Sequence, residues 1–299
     1  MSSLFRYHLL LGLLLFCFQG AAQQARLESE YKLDVPRQVE KKLWAYLKSD
    51  FESDKLDRFL PGLTSNTSVE VFYDEYFDDA AYSLAAMQGG VRVRKRYVND
   101  TLVRQLLQVK LAVGDSTGVA REEIKFDVNE KLDLSDRRAM HPFWKHVKPG
   151  DRGELSRLLA SQRLQGDELQ VATSLKQVRS RLYIQEHGEA LMTITLDEVK
   201  ATSPPYVRFT ELEMELNEVR YTLADEAERA RMEELNRELK EEILSRFPEL
   251  SQDQTPKYNK LLRLQQANPW KPVMDNLAYG LLALLVAVAV YLYIRYEKR

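Results

Sequence analysis

Apolar and polar residues alternate along eight stretches of the chain, the two-residue period of a half-buried strand. They are 28–33, 69–78, 91–97, 102–111, 121–126, 171–181, 191–197 and 210–216. Pro61-Gly62, Gly89-Gly90, Gly114 and Gly188 supply turns between them. A helical period replaces the alternation elsewhere. Val39, Leu43 and Leu47 predict a helix over 36–47, started by Asp34 and Pro36. Leu235, Leu239 and Ile243 predict a long helix over 222–247, stopped by Pro248. Leu261, Leu262 and Leu264 follow Thr255-Pro256-Lys257-Tyr258 in a short last helix. From about 129 to 169 the strand period lapses, and a helical insert is expected around 154–160.

The polar half of the alternation is charged to an unusual degree. Glu28, Glu30 and Lys32 share one strand face, and Glu211, Glu213 and Glu215 share another opposite Leu212, Met214 and Leu216. Arg92, Arg94 and Arg96 share a face, as do Arg121, Glu123 and Lys125, and also Arg179 and Arg181. Gln108 and Lys110 are in phase on their strand. Three arginines in a row repel one another unless an anion sits among them, or unless the strand is an edge made cationic against aggregation. Likewise, three glutamates in a row call for cations or for water.

The two ends have a different character. Residues 1–22 hold Arg6, an apolar run from Leu9 to Phe18 and small residues at 20–22, the pattern of a signal peptide. Residues 277–294 form an apolar stretch of about 27 Å as a helix, near the hydrocarbon thickness. Arg295, Lys298 and Arg299 follow it, which predicts a cytoplasmic tail over 295–299. A domain over 23–265 would then lie outside the cytoplasm, joined by a linker at 266–276 to a membrane helix.

Composition narrows the chemistry. Lys+Arg number 43 against 45 Asp+Glu, a formal net charge of -2, so no bulk attraction to DNA is implied. The only cysteine, Cys17, falls in the leader, which excludes a disulfide, a zinc–thiolate site and a cysteine nucleophile from a processed chain. His141 and His146 are five residues apart, and that spacing does not make a one-face ligand pair on a helix.

Mixed charge on the inside of a sheet is tolerable only when solvated, paired or bound to ligand. A closed antiparallel barrel provides such an interior. Arginines there suit phosphate oxygens, and glutamates suit Mg²⁺ or Mn²⁺, which take oxygen ligands. Together they describe a pocket for a metal-bound polyanion.

The ordered motifs carry a family resemblance. Glu28-Ser29-Glu30-Tyr31-Lys32 resembles the ExExK signature of the CYTH superfamily, the triphosphate tunnel metalloenzymes. Tyr76-Phe77-Asp78, Gly90-Val91-Arg92-Val93-Arg94, Leu107-Gln108-Val109-Lys110 and Arg121-Glu122-Glu123 follow in that family's order. Arg179, Arg181 and Leu196-Asp197-Glu198 come next, then Glu211-Leu212-Glu213-Met214-Glu215 and Lys257-Tyr258.

The resemblance implies an α+β fold: a closed eight-stranded antiparallel β tunnel with flanking helices. It implies Lys32, Arg92, Arg94, Lys110, Arg121, Arg179, Arg181 and Lys257 as substrate-binding residues. Glu28, Glu30, Glu211 and Glu213 become catalytic, and with Glu215 they become ligands of Mg²⁺ or Mn²⁺. The expected activity is a metal-dependent phosphohydrolase for inorganic triphosphate or another triphosphate or polyphosphate. The compartment implied by the two ends disfavours a nucleotide. Two alternatives stay open: a non-catalytic polyanion-binding module, and a polyphosphate polymerase or class IV adenylate cyclase-like enzyme. The 129–169 insert lies outside the family's minimal pattern and is expected to cap a tunnel mouth or meet a partner.

Overall fold

The computed structural model describes residues 26–27, 30–112, 121–129, 137–268 and 270, with pieces of the C-terminal stretch at 280–281, 284–290, 293 and 296. The predicted leader at 1–22 and Glu28 lie outside the described residues, as does part of 277–294. Among the described residues no helix is long and apolar enough to cross a membrane.

Ten strands form one sheet: β1 (Arg26–Leu27), β2 (Glu30–Asp34), β3 (Leu63–Asp78), β4 (Gly90–Val98), β5 (Thr101–Ala112), β6 (Arg121–Asp127), β7 (Gln170–Glu186), β8 (Glu189–Ala201), β9 (Arg208–Leu216) and β10 (Ser251–Gln252). The order is β1-β6-β5-β4-β3-β7-β8-β9-β2-β10, and every neighbouring pair is antiparallel. This corrects the expected closed ring of eight strands: the ladder is open.

The reason lies in the N-terminal segment, which changes partner part-way. Arg26 and Leu27 pair with Glu123 and Glu122 of β6, while Glu30 to Asp34 pair with Glu215 to Glu211 of β9. Residues 27 and 30 cannot be more than about 11 Å apart. The two ends of the ladder are therefore drawn together, and the sheet curls round an interior without a continuous hydrogen-bonded ring.

Core packing lies mostly outside this sheet. Helix α1 (Glu40–Asp50) and helix α3 (Glu226–Arg246) cover β7, β8, β9 and β2. Leu43, Leu47, Leu235, Leu239 and Ile243 meet Leu33, Ile194, Leu196, Leu212 and Met214 there. α1 starts later than its period suggests, because residues 37–39 form a turn in which the Val39 N–H donates to the Pro36 carbonyl at 2.9 Å. The long predicted helix breaks at Ala224, and Asp225 caps the start of α3 by accepting from the Glu228 N–H at 2.8 Å.

The insert packs on the other half of the outer face. Phe143, Trp144, Val147 and, from helix α2 (Arg152–Ser161), Leu155 and Leu159 are buried against Val91, Val93, Leu107, Val109 and Phe126. Helix α4 (Lys257–Gln266) instead closes one end of the interior, where Tyr258, Leu261 and Leu262 pack on Tyr76, Leu175 and Val199. Tyr258 stacks on Tyr76 with centroids 4.8 Å apart and donates to Asp78 Oδ2 at 2.8 Å.

Gly166 is where the insert closes over Trp144: an added Cβ would lie 2.1 Å from the indole ring. Gly166→Ala therefore forces the buried Trp144 to move. Urea unfolding should show a loss of about 1–3 kcal/mol, the usual cost of overpacking.

Candidate active site

Inner-face side chains follow from strand parity. β9 turns Leu212 and Met214 outward to the helices, so Glu211, Glu213 and Glu215 take the inner face. β8 places Thr195 and Asp197 beside them, with Asp197 opposite Glu211 and Thr195 opposite Glu213. β2 sets Lys32 opposite Glu213, and β7 sets Arg179 opposite Asp197. The interior thus gathers Asp197, Glu211 and Glu213, all buried, with one oxygen from each within 4.8 Å of the others.

Lys257 enters this cluster from the plugged end. It is the first residue of α4, and side chains at a helix start lean beyond the N-terminus. Its Nζ lies 2.9 Å from Asp197 Oδ2 and 2.5 Å from Glu213 Oε1, and it also pairs with Glu211. Arg179 grips Asp197 through Nε at 2.7 Å and Nη2 at 2.5 Å, and Nη2 reaches Glu213 Oε2 at 2.6 Å. Lys32 Nζ is 3.1 Å from Glu213 Oε1. Each carboxylate of the cluster has a cation against it.

A second group lies on β3, β4, β5 and β6. Arg94 binds Asp74 in a two-pronged fork, Nε to Oδ1 at 2.7 Å and Nη2 to Oδ2 at 2.6 Å. Arg92 Nη1 donates to the same Asp74 at 3.1 Å and to Tyr76 Oη at 2.9 Å, and its Nε donates to Gln108 at 2.8 Å. Glu123 accepts from Gln108 at 3.1 Å, lies 3.6 Å from Lys110 Nζ, and pairs with Lys125. β4 is hydrogen-bonded on both sides, so its arginine row is not an edge device.

Burial and pairing set the protonation states. Burial raises Glu211 to about 7 against the lowering pull of Lys257 and Lys32. For Glu213 the burial effect is outweighed by Lys257, Lys32 and Arg179, which hold it well below the usual range. Asp197 is likewise lowered, by Arg179 and Lys257 against burial. Asp74 is lowered by Arg94 and Arg92 despite complete burial. For Glu123, Lys110 and Lys125 overcome burial and bring it down to about 2. Lys257 is held well above the ordinary lysine value, because its three carboxylate partners outweigh the effect of burial.

Of the sequence-predicted residues, Lys32, Arg179, Glu211, Glu213 and Lys257 meet in one cluster, while Arg92, Arg94 and Lys110 meet in the adjoining one. Arg181 and Glu215 lie further along, lining a partly open cavity of about 230 Å³. Glu30 is placed by its backbone opposite Glu215, and Arg121 opposite Ala112; their side chains and all of Glu28 lie outside the described residues. Asp74, Asp197 and Glu70 were not among the predicted site residues. No charged row was expected on 69–78 or 191–197, and only the curled sheet shows that these carboxylates are the arginines' and lysines' partners.

The donor set fits a hard divalent cation: three buried carboxylates with converging oxygens. Neither Glu211 oxygen has a partner in hydrogen-bond geometry despite its burial. The cationic groups nearby are of the kind that bind phosphoryl oxygens.

A family model described as the CYTH domain matches residues 37–247. No curated protein matches the chain. Among solved structures, a protein from Pyrococcus horikoshii is 15% identical, with a TM-score of 0.45, covering 79% of this chain and 98% of its own. HpAC1 from Hippeastrum, an adenylyl cyclase candidate with a dominant triphosphatase activity, is 18% identical, with a TM-score of 0.42, covering 73% and 87%. The S. pombe RNA triphosphatase Pct1 is 14% identical, with a TM-score of 0.33, covering 72% and 79%.

The inner pairs carry a pH dependence of defined sign. Asp74 and Glu123 bind protons more weakly folded than unfolded. Their stabilisation is present above the ordinary carboxylate value and is lost as the pH falls through the folded one. Between pH 5 and 2 the Glu123 pairs alone should give up on the order of 2–3 kcal/mol. Glu123→Gln should flatten the acid limb of a plot of melting temperature against pH.

Proposed function

Because the chain belongs to the CYTH domain family, we propose that its interior is a divalent-metal-dependent phosphohydrolase site for inorganic triphosphate or a linear polyphosphate. One observation carries this reading: a buried three-carboxylate cluster lies directly against the interior cations. Phosphoryl transfer needs little from a protein beyond positioning and charge stabilisation, and these residues are suited to both.

In this reading Lys32, Arg92, Arg94, Lys110, Arg179, Arg181 and Lys257 bind the phosphate chain. Asp197, Glu211 and Glu213 hold Mg²⁺ or Mn²⁺, with Glu28, Glu30 and Glu215 as further carboxylates of the same strand rows. A bound divalent ion supplies Lewis-acid polarisation of the phosphoryl oxygens. The plug helix holds Lys257 in place. Asp74 and Gln108 orient Arg92, and Asp74 orients Arg94, so the guanidinium planes are set before ligand arrives. The leader and the apolar C-terminal stretch support a membrane-tethered domain outside the cytoplasm, where inorganic phosphate chains are more plausible substrates than nucleotides.

A second reading rests on Lys257. Its ammonium already neutralises the carboxylate cluster, so the same cavity could hold a polyanion without metal or turnover.

Phosphate release by the full-length protein separates the two. Tripolyphosphate should be cleaved with Mg²⁺ or Mn²⁺ and not with chelator. Glu213→Gln should lower the rate at least about a hundredfold while the circular dichroism spectrum is retained. No release under either metal, with tripolyphosphate still raising the melting temperature, would establish the binding module. An unchanged rate in Glu213→Gln would remove the carboxylate cluster from the chemistry.

A further inference from the structure

The interior does not end at the two clusters. Beyond Arg94, away from α4, lies a partly open cavity of about 160 Å³ whose charged lining is Arg94, Arg96, Arg104, Arg179, Arg181 and Lys125, with Glu70 as its one carboxylate. Arg96 and Arg104 fall outside the motif residues discussed above, and they are register partners on β4 and β5. Like charges directly opposite one another on a sheet are destabilising unless something lies between them.

The local pairing leaves these cations under-satisfied. Arg96 pairs with Glu70, and Arg181 Nη2 reaches the same carboxylate only at 3.7 Å. The buried Nε atoms of Arg96 and Arg181 have no hydrogen-bond partner. Arg104 is exposed and forms no ion pair with any described residue. Deeper in, the buried Gln177 accepts from Arg94 but leaves its own Nε2 unpartnered. Donors outnumber acceptors at this end of the interior, and strand β4 continues the basic row from Arg92 and Arg94 outward.

We propose that Arg96, Arg104 and Arg181 form a further anion subsite, which makes the interior selective for linear polyphosphates longer than three phosphoryl groups. This rests on the reading of the interior as a polyanion site. From Gly90, beside the plug, to Arg96 the wall runs about 20 Å, more than a triphosphate can cover. Such a chain lays its further phosphates along this rim. A nucleoside fits the rim poorly. Phe72, the aromatic ring that lines this cavity, is flanked by the guanidinium groups of Arg94 and Arg179, 4.5 and 5.8 Å from its centroid. These cover the surface on which a base would stack.

The test is calorimetric binding to the full-length protein in detergent with chelator present, so that no turnover occurs. The probes are tripolyphosphate, ATP and a linear polyphosphate several times longer. The wild type should bind the longer chain at least roughly tenfold more tightly than tripolyphosphate, the equivalent of one charge-assisted hydrogen bond. ATP should gain nothing over tripolyphosphate. Arg96→Gln with Arg104→Gln should remove most of that preference and leave tripolyphosphate affinity nearly unchanged. Arg104→Gln alone, at an exposed position, guards against misfolding and should remove part of it. A preference for the longer chain that survives in the double variant, or no preference in the wild type, would overturn the rim subsite. Failure of tripolyphosphate itself to bind, both with chelator and to the slow Glu213→Gln variant with Mg²⁺, would instead overturn the proposed function.

Discussion

The structure depends on one constraint: charges inside a sheet must be neutralised by other charges. An unpaired buried ion costs several kcal/mol, and removing one partner of a buried pair commonly costs about 3–5 kcal/mol. The inner face answers this with paired rows. Asp74 takes Arg92 and Arg94, Glu123 takes Lys110 and Lys125, and Asp197, Glu211 and Glu213 take Arg179, Lys32 and Lys257. Compared with packed apolar residues in their place, such pairs contribute little net stability, so their arrangement is better understood as positioning.

Stability comes from the other face of the same strands. Leu212 and Met214 alternate with the glutamates of β9, and Val91 and Val93 with the arginines of β4. The helices and the insert bury these apolar residues, and that burial is what holds the charged face inward. The division is physical: a sheet that curls has a concave side too narrow for helices and a convex side that needs covering. The insert serves the convex side. Its described residues cover one half of the sheet as α1 and α3 cover the other.

The plug joins fold and chemistry. Tyr258 is tied to Asp78, and Asp78 Oδ1 accepts from the Leu84 N–H at 2.9 Å, so α4 is anchored to the end of β3 and the turn after it. The anchored helix then projects Lys257 into the carboxylate cluster. The ammonium occupies space among the three carboxylates that a divalent ion would also use, so lysine and metal would compete for the same oxygens.

Much of this was legible in the chain. The two-residue period identified the strands, and its charged half identified Lys32, Arg92, Arg94, Lys110, Arg179, Arg181, Glu211 and Glu213 as members of interior rows. Parity along a strand is a local property, so the sequence by itself determines which residues share a face. It does not determine which rows meet, because register between strands distant in the chain is set by packing. Asp74 is 18 residues from Arg92, and Asp197 is 60 from Lys257. Only the tertiary structure decided that these carboxylates are the partners of those cations, that the N-terminal segment bridges β6 and β9 without closing the ladder, and that α4 delivers its lysine to the acidic cluster. Those outcomes depend on how a curled sheet brings remote strands together, and no local pattern of residues encodes that distance.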